Sequence, residues 1–125
     1  MSNTILALLS RILLSAVFIP AGISKLADIG GTAGYIASAG IPGSSVLAWL
    51  AAIFEVVAGL CILVGFQTKY AAFALAAFCI FTAFVFHGGA DPVQQIMMFK
   101  NIGLAGGFLA LAVAGAGAWS IDARR

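Results

Sequence analysis

A chain of 125 residues that is 63% hydrophobic, with six basic and four acidic residues, cannot coat a soluble domain of that size with polar groups. Its mean hydropathy of +1.16 points instead to an integral membrane protein, whose outer surface is as apolar as its core. A net charge of +2 is too small to support a nucleic-acid partner.

A membrane-crossing helix takes about 20 apolar residues at about 1.5 Å each. Four segments meet that requirement: residues 5–23, 46–66, 70–86 and 96–118. The chain starts MSNTILALLS, and its first cation, Arg11, falls inside the apolar run rather than ahead of it. The AGISKLAD that follows has no cleavage pattern, so this run is expected to stay as a helix. The loop over 25–45 carries GGTAGYIASAGIPGSS. Here Thr32 is expected to cap a short interfacial helix holding Tyr35, Ile36 and Ala39, closed by Gly40 and Pro42. Only Gln67, Thr68 and Lys69 separate the second and third spans, which makes them antiparallel neighbours. The third and fourth are joined by FHGGADPVQQIMMFKN, residues 86–101, where Gly88, Gly89 and Pro92 forbid a continuous helix. The expected fold is an all-α membrane protein: a four-helix transmembrane bundle with a short interfacial helix in the first loop, forming one domain over 1–125.

Four crossings put both termini on one side, together with Lys69, Arg124, Arg125 and the nearby Arg11. The other side has Lys25 and, near its boundary, Lys100. The excess of cations around the termini places them in the cytoplasm. Trp49 and Trp119 then fall at opposite interfaces, as aromatic belts should.

An ionisable group near mid-membrane costs at least about 2.5 kcal/mol and needs a partner or a purpose. Arg11, Ser15, Phe18, Gly22 and Lys25 recur at helical spacing and share one stripe of the first span. Ala48, Ala51, Ala52, Glu55 and Gly59 do so on the second, and Lys100, Gly103, Gly107, Leu111 and Ala114 on the fourth, with a G-x-x-x-G inside. Small residues mark close helix approach, so these stripes are expected to face inward around a polar seam. Glu55 lies near the middle of its span. Its partner is either Arg11 from the cytoplasmic side or the cations Lys25, His87 and Lys100 at the opposite mouth. An Arg11–Glu55 pair would serve as a register lock or as part of a site. The turn over 87–101 would then be the rim of a cavity with Glu55 at its floor.

Blander readings compete for several of these residues. Lys25 and Lys69 suit interfacial snorkelling, His87 a helix end, and Asp91 before Pro92 ordinary turn chemistry. The phenylalanines of the third span are core or lipid-facing bulk, or else aromatic walls for a flat guest. Cys61 and Cys79 form no C-x-x-C and read as small apolar core residues. His87 with Asp91 is too thin a set for a metal site, and none is expected.

The segments LLSRILLSAVFIPAGISKLADIGGTAGYIASAGIP, LAAIFEVVAGLCILVGFQTKYAA, FVFH and FKNIGLAGG closely resemble the DoxX family of small bacterial inner-membrane proteins. The elements that carry the resemblance are the Arg11 helix, Gly22 with Lys25, Glu55, Gly65 followed by Lys69, Phe86–His87 and Lys100–Asn101. It implies a four-helix inner-membrane bundle. The family takes its name from a subunit associated with thiosulfate:quinone oxidoreductase and terminal oxidase systems, and some members are linked to oxidative-stress complexes.

The functional expectation is an accessory subunit or small enzyme of a quinone-linked redox system, holding a quinone-like or lipid ligand inside the bundle. Arg11, Lys25, Glu55, His87, Lys100 and Asn101 are the candidate ligand-binding residues, with Glu55 the candidate catalytic proton relay. The alternatives are a non-catalytic assembly partner for an oxidoreductase and, more remotely, a small-solute transporter. The G-x-x-x-G face also permits a homo-oligomer.

Overall fold

The computed structural model describes residues 2–86 and 91–124. They form five α-helices and a terminal 3-10 turn: α1 (Asn3–Ala27), α2 (Ile29–Ser38), α3 (Ser44–Val64), α4 (Thr68–Phe86), α5 (Pro92–Ala114) and η1 (Asp122–Arg124). Helices α1, α3, α4 and α5 are long and apolar enough to cross a membrane, and α2 is the short helix of the first loop. The protein is an all-α membrane bundle.

The boundaries follow local capping chemistry. Ser2 caps α1, its side chain accepting from Ile5 N at 3.3 Å. The first helix runs to Ala27, past the expected end near residue 23, and a single residue, Asp28, then serves two helices. Its backbone N–H closes α1 on Lys25 O at 3.2 Å, and its carboxylate opens α2 by accepting from Gly31 N at 3.0 Å. The interfacial helix is therefore capped four residues before Thr32, the expected cap. Thr32 instead donates its hydroxyl to Asp28 O from inside the helix. Of two competing cap residues, the earlier one satisfied the free N–H groups first.

The fourth span also shifts. It covers Pro92–Ala114 rather than 96–118. Asp91 caps it by accepting from Val93 N at 3.0 Å, Pro92 fits the first turn where no N–H is needed, and Gly115 ends it at φ 83°. Gln94 and Gln95 thus belong to a helix rather than to a turn.

In the interior, α1 packs along α3 and α4 along α5, while α3 also meets α4. Phe18 of α1 joins the two pairs, with its ring edge-on to Phe78 of α4 at 6.3 Å and to Phe108 of α5 at 5.5 Å. The expected stripes of α1 and α3 do face inward: Arg11, Ser15, Phe18 and Gly22 are buried on one, Ala48, Ala52, Glu55 and Gly59 on the other. The expected stripe of α5 does so only in part: Leu111 is buried and Gly107 half-buried, but the rest faces outward. Its buried face carries Ala105, Phe108, Leu111 and Ala112, whereas Lys100 and Gly103 are exposed.

After α5 the chain turns back beneath α3 and α4 as a strap. Ile121 N donates to Val64 O at 3.0 Å and Asp122 N to Gly65 O at 2.8 Å. The Asp122 carboxylate accepts from Gln67 N at 2.7 Å and Thr68 N at 2.8 Å, capping α4 from a distant part of the chain.

Candidate functional site

The polar groups of the bundle are distributed by the register of α1 on α3. The two helices approach closely where glycine allows it. A Cβ on Gly22 would stand 2.6 Å from Val56 Cγ2 and 2.9 Å from Ala52 O, and one on Gly59 would stand 2.8 Å from Ile19 Cγ1. Gly22 thus lies opposite Ala52 and Val56, and Ile19 opposite Gly59. In this antiparallel register Arg11 falls beside the end of α3, about ten residues, or roughly 15 Å, from the level of Glu55. Lys25 falls only about one turn from Glu55 on the other side, a gap of roughly 5 Å that its side chain can span.

Glu55 accordingly pairs with Lys25 and not with Arg11. Lys25 Nζ lies 2.8 Å from Glu55 Oε2 and 3.1 Å from Oε1. The carboxylate end is 4% exposed and the lysine end 33%, so the pair runs from the buried seam toward the open side.

Arg11 is spent elsewhere. It is 1% exposed, with Nη1 donating to Leu63 O at 2.8 Å and Nη2 to Trp119 O. The guanidinium lies over Gly65, where a Cβ would come within 2.9 Å of Nη1. Gly65 also has φ 72°, the left-handed value that ends α3, so glycine is required there twice over. Arg11 therefore ties the strap to the end of α3 and takes no part in a seam with Glu55.

A cavity of about 560 Å³ opens beside the Lys25–Glu55 pair, bounded by α1, α2, α3, α4 and the start of α5. Its walls are mainly apolar, with Phe54, Phe78, Phe81 and Phe86 among them. Tyr35 of α2, also on the wall, stacks on Phe86 of α4 with centroids 5.4 Å apart and planes 23° apart. Asn101 and Thr82 supply a second polar point: Asn101 Nδ2 donates to Thr82 Oγ1 at 3.0 Å, and Thr82 Oγ1 donates to Cys79 O at 3.2 Å. Such a volume, with apolar walls and two fixed polar points, has the make-up of a small-molecule pocket.

Of the residues expected from the sequence, Lys25, Glu55 and Asn101 come together on this cavity. Arg11 sits at the other end of the bundle and Lys100 on an exposed face. His87 lies outside the described residues. Sequence reasoning missed Thr82 and Asp122. Thr82 had a signal, being a hydroxyl inside the otherwise apolar run from 71 to 86. Asp122 had a weaker one, an acid placed after the last span, and its targets are too distant in sequence to infer.

Comparison with known proteins gives consistent matches. A family model described as DoxX matches residues 6–88. The chain is 42% identical over 116 residues to inner membrane protein YqjF of Escherichia coli (strain K12), covering 92% of this chain and 88% of that protein. It is 36% identical over 129 residues to inner membrane protein YphA of the same organism, covering 98% of this chain and 92% of that protein. No solved structure matches.

Proposed function

This chain belongs to the DoxX family, and on that premise we propose that it is an inner-membrane protein that binds a quinone-like or lipid ligand within its bundle, as an accessory subunit or small enzyme of a quinone-linked redox system. One observation carries the reading. A buried carboxylate held by a lysine lies on the wall of an apolar cavity of about 560 Å³, rather than sealed between helices. A pair that only locked register would be better packed on all sides. The donor set suits the guest: an ammonium and an amide offer hydrogen bonds to a polar head, and the rings of Phe54, Phe78 and Tyr35 suit a flat or chain-like body.

In this reading the electron-carrying chemistry is the guest's own. Lys25 and Asn101 orient the head, the aromatic walls exclude water, and Glu55 exchanges a proton at its carboxylate. Lys69 and Arg124 at the strap end support cytoplasmic termini. Alkylation of a cysteine placed at residue 69 should then need a membrane-permeant reagent, and labelling of intact cells by an impermeant one reverses the topology.

The test of binding is mass spectrometry of small molecules that copurify in native-lipid nanodiscs, for wild type and for Ala51→Phe, which fills the cavity from its wall. A quinone or lipid retained by the wild type and lost from the variant is expected. Identical profiles from two folded proteins would remove the proposal and favour the second reading, a non-catalytic assembly partner for an oxidoreductase. That reading draws on the open space around Gly103 and Gly106 of α5, where a partner helix has room to approach.

A further inference from the structure

The charges on the cavity wall restrict the ligand further. Among the described residues lining it, Lys25 and Glu55 carry the only formal charges, and they cancel across 2.8 Å. Arg11 is committed to two carbonyls at the other end of the bundle, and Lys100 is not on the wall. Resting on the binding reading above, the geometry points to a site that selects an uncharged amphiphile with a hydroxyl or carbonyl head, and that excludes ionised lipids because Glu55 already neutralises Lys25.

The argument begins with valence. A lysine ammonium has three N–H donors and no acceptor. Glu55 takes the side of Nζ facing its two oxygens, at 2.8 and 3.1 Å, leaving donor capacity on a side chain that is 33% exposed. A neutral oxygen can take that donor without disturbing the pair. At the second polar point Thr82 Oγ1 is already engaged as both acceptor and donor. Asn101 keeps its Oδ1 without a hydrogen bond among the described residues, so it can accept from a hydroxyl. The wall therefore offers donors on Lys25 and on the second N–H of Asn101, an acceptor on Asn101 Oδ1, and no net charge.

A charged head meets a different balance. An anion reaching Lys25 has to compete with Glu55, which is 3% exposed, for the same ammonium. Success would leave a carboxylate buried without its partner, the costly outcome for any buried pair. A cationic head would strand Lys25 from Glu55 in the same way. In an apolar cavity little solvent screening softens either penalty. Binding of an ion should thus be at least about tenfold weaker than that of its neutral counterpart. Replacing Glu55 by glutamine keeps the shape but leaves Lys25 without its counter-charge, so the preference should invert.

Two photoreactive probes test this: a diazirine-bearing alkyl alcohol and the alkyl sulfonate of the same chain, at equal mole fraction in nanodiscs. Adducts are counted by intact mass and located by peptide mass spectrometry. In the wild type the alcohol should label cavity residues such as Phe54 and Phe78 at least about tenfold more than the sulfonate. In E55Q the sulfonate-to-alcohol ratio should rise by about the same factor. Equal labelling of the wild-type cavity by both probes, or an unchanged ratio in folded E55Q, overturns the selection for neutral heads while leaving ligand binding intact. Absence of cavity adducts from both probes removes the binding reading and this inference with it. If E55Q does not accumulate, the wild-type ratio decides.

Discussion

Replacing Arg11 by methionine removes the two hydrogen bonds its guanidinium donates to Leu63 O and Trp119 O. Hydrogen bonds from a charged donor contribute about 1.5–3 kcal/mol each, so about 3–6 kcal/mol of interaction is lost. The substitution also removes the burden of a charge that is 1% exposed and whose Nε has no hydrogen-bond partner among the described residues. Allowing a few kcal/mol for that relief leaves a net destabilisation of about 2–3 kcal/mol. The loss should concentrate in the strap, whose attachment to α3 and α4 rests on the amides of Ile121, Asp122, Gln67 and Thr68. Hydrogen exchange at those four amides should accelerate roughly 30- to 150-fold, at about 1.4 kcal/mol per factor of ten. The cavity pair lies roughly 15 Å away along the bundle, so its ligand should be retained. Unchanged exchange in the strap would refute the reasoning. So would loss of ligand with the strap still protected, which would return Arg11 to the binding site.

Further substitutions test the packing that positions the pair. Lys25→Met should cost about 2 kcal/mol in reversible unfolding in mixed micelles, less than the 3–5 typical of a fully buried pair because the lysine end is partly exposed. The double substitution with Glu55→Leu should recover most of that loss; a single variant as stable as wild type would mean that the pair does not organise the bundle. Gly22→Ala should cost about 1–3 kcal/mol by the same measurement, since its methyl group meets Val56 and the Ala52 carbonyl. Gly103→Ala has open space around it and should be neutral or stabilising by up to about 1 kcal/mol. Equal effects at the two glycines would contradict the α1–α3 close approach.

The membrane class, the four crossings and the short helix of the first loop were legible in the sequence, because length and hydropathy are properties of single segments. The inward stripes of α1 and α3 were legible too. In each, a charged residue sits at helical spacing among small ones, and a charge inside a membrane has only one tolerable direction. On α5 the same reasoning held at Leu111 but misled at Lys100 and Gly103. Lys100 and Asn101 are adjacent and both polar, and glycine and alanine occur all around the helix, so nothing in the pattern says which face turns in. Packing against Phe18 decided it, bringing Ala105 and Phe108 inward and leaving Lys100 outside.

The sequence alone thus determined that Arg11 and Glu55 must each find a partner, and on which helix face, while Lys25 suited snorkelling at the interface equally well. Only the tertiary structure decided the pairing. Partnership depends on the axial register between helices, and that register was set by the contacts of Gly22 with Ala52 and Val56 and of Gly59 with Ile19. A shift of ten residues along α1 separates Arg11 from the level of Glu55, and no local pattern encodes it. The strap could not be foreseen for the same reason: Asp122 caps a helix that begins 54 residues earlier in the chain. Short-range periodicity fixes which way a side chain points, whereas the group it meets is chosen by how whole helices slide to bury their smallest residues against one another.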